Sequence, residues 1–319
     1  MEHRLALALD EPASGPLKPG AALALGNFDG VHKGHQAVIA AAVAAAQAAG
    51  RPAGAVVFEP HPRQVFAPTA EPFRLQSGAQ RARALRQQGA ETVIEIRFDR
   101  ALAALSPEAF AADVIASRIG AAQVCVGLDF RYGKGRSGDA QSLMDHGAAH
   151  GFGVTVVDAV DDSDHPGDKI SSSAIREALV AGDPALAARL LGRPFAIEGE
   201  VIHGQARGRT IAFRTANVAL GAYLRPALGV YAVQARLADG TSRAGVANVG
   251  VRPTVAGAEA QPLLEAHLFD FEGDLYGQSL EVALIAFLRS EQKFESFEAL
   301  TRQIAEDAAA ARRLLSAAP

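Results

Sequence analysis

Three things are scarce in this chain: cysteine, surplus positive charge and long apolar runs. The single cysteine, Cys125, lies in the apolar stretch QVCVGL (123–128). One thiol cannot close an internal disulfide, which fits a reducing compartment. Its neighbours suggest a small buried hydrophobe, with a catalytic thiol as the other reading. Lysine and arginine number 31 against 35 acidic residues, a net charge of −4. That balance supplies no general basic surface, so no nucleic-acid partner is expected. LALAL (5–9) is too short for a secretory core and is cut off by Asp10. The stretch after His35 is mostly alanine and ends at Gly50, so no run is apolar enough to span a bilayer. The expectation is a soluble cytoplasmic protein with no membrane partner; these features leave the oligomeric state open. An internal repeat and a low-complexity linker are also missing. So is the P-loop pattern G-x-x-x-x-G-K followed by Ser or Thr.

What is there begins with length. A chain of 319 residues has room for two domains and a sizeable core. The first half alternates helix-like segments with short β-like runs: AALAL (21–25), AGAVVF (53–58), TVIEIRF (92–98), QVCVGL and GVTVVDAV (153–160). SPEAFAADVIASRIG (106–120) starts with Ser106 as N-cap and Pro107 at the first helical position, and stops at Gly120. Such alternation predicts an α/β domain with a parallel sheet. After LLGRPF (190–195) the texture changes. IEGEVIHG, GVYAVQARLADG, RAGVANVG, LLEAHLFDF and SLEVALIAF are β-rich, and Asp239-Gly240 is a hairpin signal between two of them. This predicts an antiparallel barrel or sandwich, closed by a last helix, FEALTRQIAEDAAAARRLL. The boundary is placed at residue 187, giving domains 1–186 and 187–319.

GNFDGVHKGH (26–35) follows the first of those strands and runs into an alanine-rich helix starting near Lys33. Ligands of parallel sheets bind beyond the carboxyl ends of the strands. A helix N-terminus there offers free N–H donors and partial positive charge, which suits phosphate. Gly26 and Gly30 would let backbone approach a ligand closely, and His32 and His35 could aim Nε2–H donors at its oxygens. A zinc pair and a plain solvated helix start are the competing readings.

The stretch resembles the nucleotidyltransferase signature of the bacterial bifunctional riboflavin kinase/FAD synthetases. Further matches follow in family order: FEPHP (58–62), GLDFRYGKGRSG (127–138), KISSSAIR (169–176), LGRPF (191–195), RTAN (214–217), GVYAV (229–233), GVANVGVRPT (245–254), LLEAHLFDFEGDLYG (263–277) and FLRSEQKF (287–294). The resemblance spans nearly the whole chain. It implies a Rossmann-like nucleotidyltransferase domain, then a β-barrel riboflavin-kinase domain with a terminal helix. It further implies that ATP and Mg²⁺ are used to make FMN from riboflavin and FAD from FMN.

Residue by residue, the resemblance implies that His32, His35 and Arg176 serve adenylyl transfer. Gly26, Asn27, Phe28, Asp29, Gly30, Gly34, His61, Ser172 and Ser173 would then form the nucleotide site. Asp129 would lie near flavin or nucleotide, and Arg289 in a loop over the flavin. In the second half Glu265 matches the catalytic glutamate, Thr215 and Asn217 match the magnesium-site residues, and HGQARGR (203–209) a loop over ATP. By the residues alone, Glu265 could be a solvent-facing strand residue, Thr-Ala-Asn ordinary loop chemistry, and the serines of KISSSAIR plain N-caps.

Two departures and one decoy complete the reading. Ser173 stands where the family usually has threonine, and Ala212 and Arg214 where it has glycine and proline. The second departure leaves open an FAD synthetase whose barrel only binds flavin, and beyond that a non-enzymatic flavin-sensing module. The decoy is GKGRSG (133–138), which satisfies G-x-G-x-x-G with Asp158 downstream, as a dinucleotide-binding oxidoreductase would. In that motif the first glycine follows the strand directly, whereas here LDFRY intervenes.

Overall fold

The computed structural model describes residues 4–7, 19–202, 215–251 and 262–316. The chain divides into two compact units. The first holds the residues up to Ala70 together with Gly78–Ile170; the second holds Glu71–Ser77 and the residues from Ser171 onward. The boundary expected at 186/187 falls inside a helix, Pro184–Leu191.

The first unit is a six-stranded parallel sheet. Its strands are β1 (Arg4–Leu7), β2 (Ala22–Leu25), β3 (Ala53–Glu59), β4 (Thr92–Arg97), β5 (Gln123–Gly127) and β6 (Gly153–Val157). They lie in the order β1-β4-β3-β2-β5-β6, with every pairing parallel. Burial on both faces makes β2 and β3 read as continuous apolar runs rather than alternating ones. Strand β1, which uses part of LALAL, was not expected. Strand β2 has β3 on one side and β5 on the other, so the strand order reverses at β2. Open parallel sheets bind their ligands at such a switch point.

Helix α1 (Lys33–Ala49) follows β2. Its buried face is Val38, Ile39, Ala42 and Ala46, a spacing that lays a narrow stripe of small side chains on the sheet. Gly50 ends it in the left-handed conformation, with its N–H on the Ala46 and Gln47 carbonyls. Helix α2 (Gly78–Gln87) lies between β3 and β4 in sequence. After β4 and a short helix at Arg100–Ala103, Ser106 caps a longer helical segment through Ala109 N–H, Pro107 sits at its first position, and Gly120 stops it at φ 64°. Its body, Phe110–Ile119, is wound as a π-helix, which the sequence did not announce.

The second unit contains α3 (Ser172–Val180), α4 (Pro184–Leu191), a closed barrel and the terminal α5 (Phe297–Ser316). The barrel strands are β7 (Phe195–Ile202), β8 (Ala216–Ala219), β9 (Gly229–Arg236), β10 (Ser242–Val251), β11 (Pro262–Leu268) and β12 (Ser279–Ser290). All pairings are antiparallel, in the cyclic order β8-β11-β10-β9-β12-β7. Alternation sends Val218, Leu264, Val249 and Leu284, all fully buried, to the interior. The Asp239-Gly240 turn joins β9 to β10, with Gly240 at φ 86° and Asp239 Oδ1 accepting from Thr241 N–H at 2.8 Å. Outside the barrel, Ala311 of α5 packs with Val230, Ala232, Val246 and Phe269. Among the described residues no helix is long and apolar enough to cross a membrane.

Candidate functional site

Because every strand of the first sheet runs the same way, the loops leaving β2, β3 and β5 emerge at one edge. Those loops carry Gly26–His32, Pro60-His61 and Asp129 respectively. The β2 loop is not a floppy glycine turn. Phe28, Asp29, Gly30 and Val31 are all buried, and Phe28 and Val31 pack into the core with Val38, Ile39 and Cys125. Phe28 and Val31 sit at φ 49° and 42°, and Gly30 at 94°. Left-handed backbone is costly for a bulky or β-branched residue, by about 1–3 kcal/mol each, and is found where surrounding packing enforces it. Phe28 therefore serves this loop as an anchor, and any contact it makes to nucleotide runs through its backbone.

His32 is the N-cap of α1. Its Nδ1 accepts from the His35 backbone N–H at 3.3 Å. An acceptor nitrogen carries no proton, so the ring proton lies on Nε2, the donor tautomer. The His35 ring stacks on the His32 ring at 3.6 Å and 19°, and meets the Phe28 ring edge-on at 5.2 Å. Gly34 is confined by the first of these rings: a β-carbon there would lie 3.2 Å from the His32 ring. Gly26 is similarly confined, 3.2 Å from the Phe28 ring.

His61 repeats the device. It caps the short helix Pro62–Phe66, its Nδ1 accepting from Arg63 N–H at 3.1 Å while Gln64 Oε1 accepts from the His61 N–H. Both histidines thus spend Nδ1 on backbone and keep Nε2–H as the donor. Histidine is outside the usual N-cap set of Ser, Thr, Asp and Asn, so residue type does not signal these caps. Asp129, after β5, is exposed and pairs with Lys169 at 2.6 Å; that bond holds its carboxyl below the usual carboxylate range. Cys125 is fully buried on β5 and burial pushes its thiol up, so it is the packed hydrophobe and not a nucleophile.

In the second unit, Ser171 caps α3 by accepting from Ala174 N–H at 3.2 Å. Ser172 and Ser173 are consequently the first two residues of the helix, where backbone N–H groups lack helical partners. Arg176 lies one turn on. Its Nε donates to the Phe73 carbonyl at 2.9 Å and its guanidinium carbon sits 5.5 Å from the Phe73 ring centre. Segment 71–77 is thus the support of Arg176, a role its sequence does not suggest.

On the barrel, Glu265 of β11 lies directly opposite Asn217 of β8 and Asn248 of β10. Directly opposed residues share a face with β-carbons about 5 Å apart. Leu264 and Ala266 point inward, so the three polar residues form a row on the outer face. Asn217 is nevertheless 2 % exposed. Asn248 Nδ2 donates to Glu291 at 3.2 Å, which brings a second carboxylate to the row. Asn248 and Glu291 were missed because strand pairing is not visible in one strand's sequence. Thr215, half-buried, immediately precedes β8. Its hydroxyl and the Asn217 amide oxygen are hard donors that suit Mg²⁺, which commonly takes a few protein oxygens and completes its shell with substrate phosphates and water. Among the described residues no group of three or more His, Cys, Asp or Glu could hold a metal ion.

The expected loop position of Arg289 needs correction. Arg289 lies on β12, and its Nε and Nη2 reach the Asp307 carboxylate of α5 at 2.7–3.1 Å, with Phe294 5.7 Å from its guanidinium carbon. The long register of β12 against β9 extends the strand through this position. HGQARGR, Ala212 and Arg214 lie outside the described residues.

A parallel α/β sheet with helix-capping histidines at its carboxyl edge, followed in sequence by a closed barrel with a polar row, defines the class. Comparison with known proteins supplies the family. The model described as FAD synthetase matches residues 16–174, and that described as riboflavin kinase matches 191–315. The bifunctional riboflavin kinase/FMN adenylyltransferase of Escherichia coli K12 is 42% identical over 92% of each chain. That of Pseudomonas fluorescens is 44% identical over 94% of each chain. A Streptococcus pneumoniae crystal structure described as a macrolide-efflux protein superposes with TM-score 0.82 at 30% identity, covering 96% of this chain and 98% of that one. The chain belongs to the bifunctional riboflavin kinase/FMN adenylyltransferase family.

Proposed function

We propose that this chain phosphorylates riboflavin to FMN and adenylylates FMN to FAD, with ATP as donor in both steps. The observation that carries the reading is that both family matches occur in one chain, in order, the first over the parallel sheet and the second over the closed barrel. In adenylyl transfer an FMN phosphate oxygen attacks the α-phosphorus of ATP and pyrophosphate leaves. The nucleophile is already anionic, so the protein's task is alignment and stabilisation of negative charge. His32 and His35 offer ring donors, and Gly26, Asn27, Phe28, Asp29, Gly30 and Gly34 the backbone of the nucleotide site. His61, Ser172, Ser173 and Arg176 are further donors to phosphate, and Asp129 a flavin-side contact.

In the kinase step the ribityl hydroxyl is a poor nucleophile. Glu265 accepts its proton as it attacks the γ-phosphorus of ATP and ADP leaves. Thr215 and Asn217 would hold Mg²⁺, which offsets phosphate charge when bound. Arg289 is proposed on the flavin side of this step, and Asp307 fixes its guanidinium. The functional division lies near residue 187, and the protein works in the cytoplasm without nucleic-acid or membrane partners.

Incubation of the pure protein with riboflavin, Mg²⁺ and ATP, followed by separation of the flavins, should show FMN and then FAD. FAD from supplied FMN but none from riboflavin would reduce the chain to an FAD synthetase, the outcome that Ala212 and Arg214 would then explain. Failure to form either product, from riboflavin or from supplied FMN, would overturn the proposal.

A further inference from the structure

Helix α2 reads QRARALRQ from Gln80 to its last residue, a polar stretch that a solvated helix would also show. One of its arginines is not solvated at all. Arg81 is 0 % exposed. Its Nη1 donates to the Asn27 carbonyl at 3.2 Å and to the Phe58 carbonyl at 3.3 Å, and its Nη2 donates to the Glu59 carboxylate at 2.7 Å. The Glu95 carboxylate of β4 lies 3.8 Å from the same nitrogen. A fully buried guanidinium is expensive unless it is paired and hydrogen-bonded, so this cluster is a committed arrangement rather than incidental contact.

The partners say what the arrangement does. Asn27 belongs to the loop that leaves β2 and leads to His32; Phe58 and Glu59 end β3 and lead to Pro60 and His61. One planar fork therefore ties together the two loops whose histidines supply Nε2–H donors. Arginine suits this task because its donors are fixed in one plane, so that two carbonyls and a carboxylate can be held at set directions. We propose that Arg81 is a positioning residue for adenylyl transfer, setting the spacing between the GNFDG and FEPHP loops without touching substrate. The inference rests on the reading of His32, His35 and His61 as phosphate-facing groups.

The test uses the full chain and four variants: Arg81→Met, Arg81→Lys, Glu59→Gln and the double His32→Ala/His35→Ala. In Arg81→Met, kcat for FAD formation from supplied FMN should fall at least tenfold while KM for FMN moves less than threefold. FMN formation from riboflavin should stay within twofold of the parent, which also reports folding of the chain. Arg81→Lys restores the charge but not the fork, and should fall between parent and Met variant in kcat. Where the Met variant does not fold, Glu59→Gln carries the test: it should lose at least threefold in kcat for FAD with the kinase intact. FAD formation within threefold of the parent in Arg81→Met, equal loss of both activities in an Arg81→Met chain that unfolds cooperatively like the parent, or no recovery in Arg81→Lys would each overturn the inference. So would parent-like FAD formation in Glu59→Gln. The double histidine variant separates the two levels. If it makes FAD normally, the site reading itself falls; if it does not and Arg81→Met does, only the role of Arg81 falls.

Discussion

His32 does two jobs with its two ring nitrogens, and a substitution can separate them. Asparagine is among the best N-cap residues but cannot place a donor where Nε2–H stands. His32→Asn should leave the unfolding midpoint near the parent's while cutting FAD formation at least tenfold. His32→Ala should lose the cap as well, for about 1 kcal/mol of stability. Urea unfolding beside an FAD assay distinguishes them, and an Asn variant with parent-like FAD formation would reduce His32 to a cap. On the barrel, Glu265→Gln keeps shape and removes the base, so FMN formation should fall on the order of 10²-fold. FAD formation from supplied FMN should hardly change. Steady-state rates for the two steps check this, and equal losses in a folded variant would place the base elsewhere.

At the scale of elements, α5 is fastened to the barrel by a few polar contacts as well as by packing. Asp307 is 7 % exposed and receives the Arg289 fork and the Gln303 amide. Asp307→Ala leaves the guanidinium without its carboxylate, a change that typically costs 3–5 kcal/mol in buried pairs. Denaturant unfolding should show a loss near the lower end, about 3 kcal/mol, because Arg289 retains some access to water. This element, its start near Phe297 and its length were legible in the sequence, as were five strands of the parallel sheet and the caps at Ser106 and Gly120. Each rests on local chemistry: apolar period, a hydroxyl before a proline, a glycine at a stop. What was not legible is non-local. QRARALRQ gives no hint that Arg81 is fully buried while Arg83 and Arg86 of the same helix keep partial exposure and Gln87 is exposed. The row Asn217, Glu265, Asn248 exists only through the register of three strands. Segment 71–77 groups with residues a hundred positions away, through the Phe73 carbonyl and Arg176.

The whole molecule has no tryptophan and only four tyrosines, of which Tyr132 alone belongs to the α/β unit. Its optical signals are therefore weak and weighted to the second unit. Cys125 fills that gap. It is fully buried on β5, next to the central strand β2, with its thiol pushed up by burial. At pH 8 the native protein should react with a thiol-specific chromogenic disulfide at close to zero equivalents, and the denatured chain at one. Reaction of one equivalent in the native state would contradict the burial. Between these limits the labelling rate in mild denaturant follows the opening of β5, because the sulfur meets reagent only when the sheet parts. The lone thiol thus makes an unmodified chain its own stopwatch for the α/β unit, and substrate added to the assay should slow that clock in proportion to how tightly the carboxyl edge grips it.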